Sequence, residues 1–227
     1  MDKKEENINP ISQEGVKVSL YSKTFLWMFL GLFATGLISV FSFYSGFTEN
    51  FIGIFPVLAI IEIVVVLLFS FLAKKISATV AKVLFFTYSI INGIVLSTIF
   101  AVYQINSIVT VFFAAAAIFG ICALFGKTTK FDLSKIGTIF IVTMIVGIIL
   151  SVVNLFLKFD WLNIGIDWVI LLVFFGVTAW DMQKVKNASE SGMYDDDKMS
   201  IYLALELYLD FINIFIRILS LFGKRRN

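Results

Sequence analysis

The sequence contains no histidine, one cysteine and two prolines among its 227 residues, and only 15% of them are charged. Without histidine the chain lacks the commonest metal ligand and the side chain that ordinarily changes charge near neutral pH. Proton sensing therefore falls to carboxylates, and a zinc-dependent membrane hydrolase is disfavoured. Cys122 has no partner for an internal disulfide; it sits in an apolar run and reads as a small packing residue. The first 23 residues, through Lys23, are polar and hold no apolar signal-peptide core, so the first span is expected to serve as its own insertion signal. Nothing in the sequence points to nucleic-acid binding or to an organic cofactor.

What the chain has in excess is apolar surface: 59% of residues are hydrophobic and the mean hydropathy is +0.96. A soluble domain is about half apolar and about a quarter charged, so the composition is that of a polytopic membrane protein in a lipid bilayer. A spanning helix needs about 20 largely apolar residues. Seven stretches qualify, at 24–47, 51–73, 83–103, 108–126, 136–157, 167–185 and 200–222. Their runs are continuous, without the period-two alternation of barrel strands. The expected fold is an all-α, seven-transmembrane helix bundle. A polar amino-terminal segment occupies 1–23, the transmembrane domain 24–223 and a short basic tail 224–227.

Lysine and arginine orient the bundle. Lys3, Lys4, Lys17 and Lys23 precede the first span. Lys74, Lys75 and Lys82, then Lys127, Lys130 and Lys135, then Lys184, Lys186 and Lys198 fall in alternate connectors. With seven spans all of these lie on one side, which places the amino terminus in the cytoplasm and the carboxy terminus outside. The basic tail Lys224-Arg225-Arg226 runs against this, and a re-entrant last segment would bring it back.

Two aspartates lie inside the last two apolar stretches, Asp181 in FFGVTAWDMQKVK and Asp210 in ALELYLDFINIF. A carboxylate in hydrocarbon costs about 2.5–3.5 kcal/mol on insertion scales. Asp210 falls near mid-membrane, where a helix-start explanation does not reach. Asp181 has two readings, an ion pair with Lys184 at i+3 and a functional carboxylate opposite Asp210. Glu206, Asp210, Asn213 and Arg217 follow spacings of four, three and four, which puts them on one face of the last helix. That face must meet a cavity or partners on other helices. Glu206 also fits a first-turn position favoured by the helix dipole. Glu62, centred in the second span, is a third intramembrane carboxylate. It is either protonated and hydrogen-bonded, paired with Arg217, or part of a gate. Asn92 and Asn154 read as interhelical hydrogen-bonding residues. The run Asp195-Asp196-Asp197 lacks the spacing of a calcium loop and reads as solvated.

The sixth stretch, ending GVTAWDMQKVK, and the seventh, LALELYLDFINIFIRILSLFG, resemble the Bax-inhibitor family, also called the transmembrane Bax-inhibitor-motif family. Glu62 and the TYSIINGIVLS segment also look like family positions, so the resemblance runs from about residue 20 to 223. It implies a seven-helix bundle with the last helix at its centre. It further implies a pH-sensitive calcium leak, with calcium as the permeating ion held in passing at a paired aspartate site. Asp181 and Asp210 match that pair. Bacterial members often carry an arginine near the end of the second span that latches onto the site. Here that region reads LAKKIS, so Lys74 or Lys75 would have to substitute. Glu206 stands where small polar residues are common and adds negative charge one turn from Asp210.

On this reading the aspartates share a proton at low pH, which locks the last two helices together. At higher pH both ionise and leave a weak oxygen site for a hard cation. The residue classes imply a plasma (inner) membrane protein that is not an enzyme. An intramembrane aspartyl protease would carry a Gly-x-Gly-Asp segment, whereas Leu207, Tyr208 and Leu209 precede Asp210. The other alternative is a non-conducting regulator that binds membrane proteins such as quality-control proteases, as members of the resembled family do.

Overall fold

The structure, a computed structural model, describes residues 10–51, 61, 76–191 and 197–226. Among them the chain is all helical: α1 (Pro10–Tyr44), α2 (Phe47–Phe51), α3 (Ala78–Leu96), α4 (Ile99–Val102), α5 (Ile105–Thr128), α6 (Ser134–Leu157), α7 (Asp160–Ser191) and α8 (Asp197–Phe222). Six of the described helical stretches are long and apolar enough to cross a membrane. Most of the stretch expected at 51–73 lies outside the described residues, and so do Glu62, Lys74 and Lys75.

Most of the helices begin earlier than hydropathy places them, and α5 and α7 also end later. α1 starts at Pro10, inside the polar segment, since proline suits a first helical position, and its apolar part runs from Leu20 to Tyr44. α7 extends to 32 residues, about 48 Å at 1.5 Å per residue, so its polar ends project past a hydrocarbon core of about 30 Å. Hydropathy marks the part of a helix in hydrocarbon; the backbone ladder continues until a cap or turn stops it. Ser77 caps α3 by accepting from the Val80 amide at 3.3 Å. α6 ends on Lys158 in the left-handed conformation at φ 55°. Asn154 closes that turn, accepting from Phe159 N and donating to Phe159 O and to Asn163 Oδ1 at 2.6 Å on the next helix.

α8 packs against α1, α3, α5 and α7, and 67% of its apolar window is buried, against 11% for α6. Its sequence explains this. Leu203, Ala204, Leu207, Tyr208, Phe211, Ile214, Phe215 and Ile218 are all buried and cover most of the helix circumference, the pattern of a helix surrounded by others. Tyr208, fully buried, hydrogen-bonds Thr35 at 2.7 Å, and Thr35 donates to the Ser89 carbonyl at 2.9 Å, which ties α8 to α1 and α3. Gly126 faces the Ala179 backbone so closely that a Cβ there would collide with it, which sets the approach of α5 to α7 beside Asp181.

Two faces of the molecule are defined by polar contacts. On one, Lys23 and Lys82 converge on Asp197 at 3.3 and 3.1 Å, joining the entry to the apolar part of α1 with the first turns of α3 and α8. Asp197, expected to be solvated, is half-exposed yet paired. On the opposite face the carboxy-terminal tail lies along the α4–α5 junction. Gln104 N donates to Lys224 O at 2.9 Å, Arg226 N to Val102 O at 2.8 Å and Lys224 N to Ser107 Oγ at 2.9 Å.

Candidate functional site

The motif Asp181-Met182-Gln183-Lys184 near the end of α7 sends its side chains three ways. Met182 is core. Gln183 points to the α5–α6 connector, where its Oε1 accepts from Leu133 N at 2.9 Å and its Nε2 donates to Phe131 O at 2.8 Å. The amide thus satisfies one donor and one acceptor of a backbone that no helix ladder serves there. In the same connector Asp132 accepts from the Ser134 amide and hydroxyl, which holds its carboxyl below the ordinary range. Gln183→Ala leaves both backbone groups without those partners. It should cost about 1–3 kcal/mol, read as a lower thermal midpoint in detergent.

Asp181 and Lys184 turn toward α8. Asp181 is 5% exposed and Asp210 2%. The two carboxyls lie close enough across the α7–α8 interface to interact. Lys184 Nζ stands 2.7 Å from Asp181 Oδ1 and 3.0 Å from Glu206 Oε1, and 4.2 Å from the Trp180 ring centroid. Tyr202 also reaches Glu206. Among the described residues, no N–H or O–H donates to Asp210 Oδ2 or Glu206 Oε2, both buried. The layer therefore holds three carboxyls and one ammonium.

The i+3 ion pair, one of the two readings of Asp181 in the sequence, is present, and Asp181 and Asp210 are both buried between α7 and α8. Glu206, one turn before Asp210, joins the same layer through Lys184. Asn213 and Arg217 do not. Asn213 Nδ2 donates to Leu209 O, a carbonyl of its own helix, at 2.8 Å. Arg217 lies two turns beyond Asp210 and pairs with Asp167 on α7, Nη1 to Oδ1 2.5 Å; Ser220 Oγ holds the other Asp167 oxygen. Asp167 is the functional-looking residue that sequence reading passed over. Its signal was an acid in the apolar run LNIGIDWVILL, opposite in sign to an equally isolated Arg217.

The surroundings of the layer are apolar. Toward the opposite face, Phe112, Phe119, Phe211 and Phe215 form edge-on aromatic contacts with centroids 5.3–6.1 Å apart. A cavity of about 460 Å³ lies beyond them, lined by Thr35, Ser39, Phe112, Phe211, Ile212 and Phe215 among others. A second, open recess of about 740 Å³ between α1, α5 and α7 reaches Met182, beside Asp181. Among the described residues no three histidine, cysteine, aspartate or glutamate side chains gather as a metal cluster would.

Known proteins resemble this chain along most of its length. The sequence matches the family described as Bax1-I, Inhibitor of apoptosis-promoting Bax1, over residues 17–227. It is 39% identical over 210 residues to inner membrane protein YbhL of Escherichia coli strain K12, covering 88% of this chain and 89% of that one. It is 33% identical to a protein of Borreliella burgdorferi, over 96% of this chain and 98% of the other. An uncharacterized membrane protein of Streptococcus pyogenes serotype M1 is 31% identical over 90% and 92% of the two chains. With six helices apolar enough to span a bilayer, the chain is a membrane protein, and it belongs to the Bax-inhibitor family.

Proposed function

We propose that the protein is a pH-sensitive calcium leak channel of the plasma (inner) membrane, a seven-span bundle with a cytoplasmic amino terminus, gated by protonation of Asp181 and Asp210. One observation carries the reading: two carboxyls from adjacent helices, each at least 95% buried, interact in the interior of the helical assembly. Such a pair is costly unless a proton lies between them, and it can open only by losing that proton. The apolar part of α1 and the first turns of α3 lie at one face, where Lys23 and Lys82 share Asp197, an arrangement in keeping with seven crossings. The basic residues Lys23, Lys82 and Lys127 gather toward that face, as a cytoplasmic one would have it.

The conformation described is the closed one. The shared proton ties α7 to α8, and the aromatic layer around Phe211 offers a cation no oxygen ligands. Loss of the proton leaves two like charges in contact, which drives the helices apart and exposes carboxylate oxygens suited to a hard, oxygen-seeking cation. The closed form binds more protons than the open one, so its advantage falls as pH rises.

The test is calcium flux into indicator-loaded vesicles as a function of pH. Wild-type flux should rise with pH, and Asp181→Asn should flatten that dependence. Flux that ignores pH in the wild type, or that is unaltered by both Asp181→Asn and Asp210→Asn, would rule the mechanism out.

A further inference from the structure

The open recess between α1, α5 and α7 has a polar end and an apolar end, and their order follows the membrane. Tyr21 and Ser22 stand at the start of the apolar part of α1, which runs from Leu20, and Lys127 lies in the last turn of α5. Lys127 Nζ is 4.9 Å from the Tyr21 ring centroid, so these residues form one end of the recess together. That end belongs to the face where Lys23, close to Tyr21 in the chain, meets Lys82 at Asp197. Going inward, the lining turns to Phe25 on α1 and to Leu124, Ala123 and Gly120 on α5. About 10 Å of helix rise separates Lys127 from Gly120. A Cβ on Gly120 would meet no heavy atom within 4 Å among the described residues, so the floor is open there.

We propose that this recess is a phospholipid site: Lys127 takes the phosphate of an anionic glycerophospholipid, and an acyl chain lies over Gly120 between Phe25 and Leu124. Among the described residues Lys127 has no carboxylate partner, and its ammonium rests on the Tyr21 ring alone. An ammonium with donors to spare, at headgroup depth and above an apolar slot, is complementary to a phosphate ester that carries a hydrocarbon tail. The recess holds about 740 Å³, within the range of about 300–1,000 Å³ typical of ligand sites. Glu190, exposed near the end of α7, acts electrostatically on Tyr21; its charge opposes an anion, which leaves Lys127 as the group that takes the phosphate. A free phosphate fits less well, because the lining below the mouth is apolar and offers it no donors. The inner lining includes Met182, next to Asp181, so an occupant borders the carboxylate layer. The inference does not depend on the channel reading.

The experiment titrates phosphatidylglycerol into the full-length, delipidated protein in detergent and reads retained lipid by native mass spectrometry. Wild type should retain one phosphatidylglycerol in preference to phosphatidylcholine with the same chains. Lys127→Gln should weaken phosphatidylglycerol binding about tenfold, the worth of one charge-assisted hydrogen bond, and leave phosphatidylcholine unchanged. Gly120→Leu, which puts a side chain into the open floor, should weaken both lipids, so the result does not hang on one variant's folding. Lys130→Gln, the same loss of charge in the neighbouring connector, should bind as wild type does. Excess inorganic phosphate should not displace the lipid; displacement would show that the mouth takes a free anion. The lipid site is refuted if phosphate displaces the lipid, if wild type retains both lipids equally, or if folded Lys127→Gln and Gly120→Leu proteins, monodisperse on elution, hold phosphatidylglycerol as tightly as wild type.

Discussion

In vesicles, the Asp210→Asn protein should lose the pH dependence of its calcium leak and remain, at every pH, near the wild-type rate at low pH. The expectation follows from what an amide does at this position. Asparagine is nearly isosteric with aspartic acid, cannot ionise, and can donate a hydrogen bond from Nδ2 to the Asp181 carboxylate. It therefore imitates the protonated pair permanently. In the wild type one proton separates the closed layer from the open one. One unit of pH is then worth about 1.4 kcal/mol between the two states, and flux can change by up to about tenfold per unit on the steep part of the curve. Asparagine sets that slope to nearly zero. The opposite result, a variant whose leak is high at all pH values, would mean that an ionised Asp210 is the element that keeps the site shut.

Breaking the second intramembrane ion pair should have the largest effect on stability. Among the described residues, Arg217→Met leaves Asp167 with only Ser220 Oγ as a partner, and an ion pair broken on one side within a low-dielectric interior costs about 3–5 kcal/mol. The side chains are 27% and 11% exposed, so partial screening argues for the lower end, about 3 kcal/mol. The thermal midpoint in detergent should fall accordingly. Asp167→Leu combined with Arg217→Met should recover most of the loss, because the charge left unpaired by the single change is gone. A double variant no more stable than Arg217→Met would indicate that the two residues contribute independently and that their pairing contributes nothing.

The two aspartates were legible in the sequence because hydrocarbon makes a carboxylate conspicuous, and each stood alone in an apolar run. The helical class and six of the crossings were legible for the same reason. What the sequence could not supply was register between helices. Helical spacing correctly grouped Glu206, Asp210, Asn213 and Arg217 on one face of α8, but a helix surrounded by four others meets a different neighbour at each turn. Glu206 meets Lys184, Asp210 meets Asp181, Asn213 bonds its own backbone and Arg217 meets Asp167. Asp167 escaped notice because it fell at the first residue of the expected sixth span, where a charge needs no explanation; the helix in fact begins two turns earlier, at Asp160. Gln183 had only its place in a motif to recommend it, since its partners, Leu133 and Phe131, lie some fifty positions away in a connector. Thr35 and Tyr208 are neutral, and nothing in composition marks a hydroxyl pair as joined.

The central claim is that Asp181 and Asp210 hold one proton between them in the closed protein. Infrared difference spectra recorded across a pH titration test it without reference to transport. The wild type should show the C=O stretch of a protonated carboxyl at low pH that disappears as pH rises, in step with the onset of calcium flux, and Asp210→Asn should lack that band. A wild-type spectrum with no protonated carboxyl at any pH where the leak is shut would contradict the account.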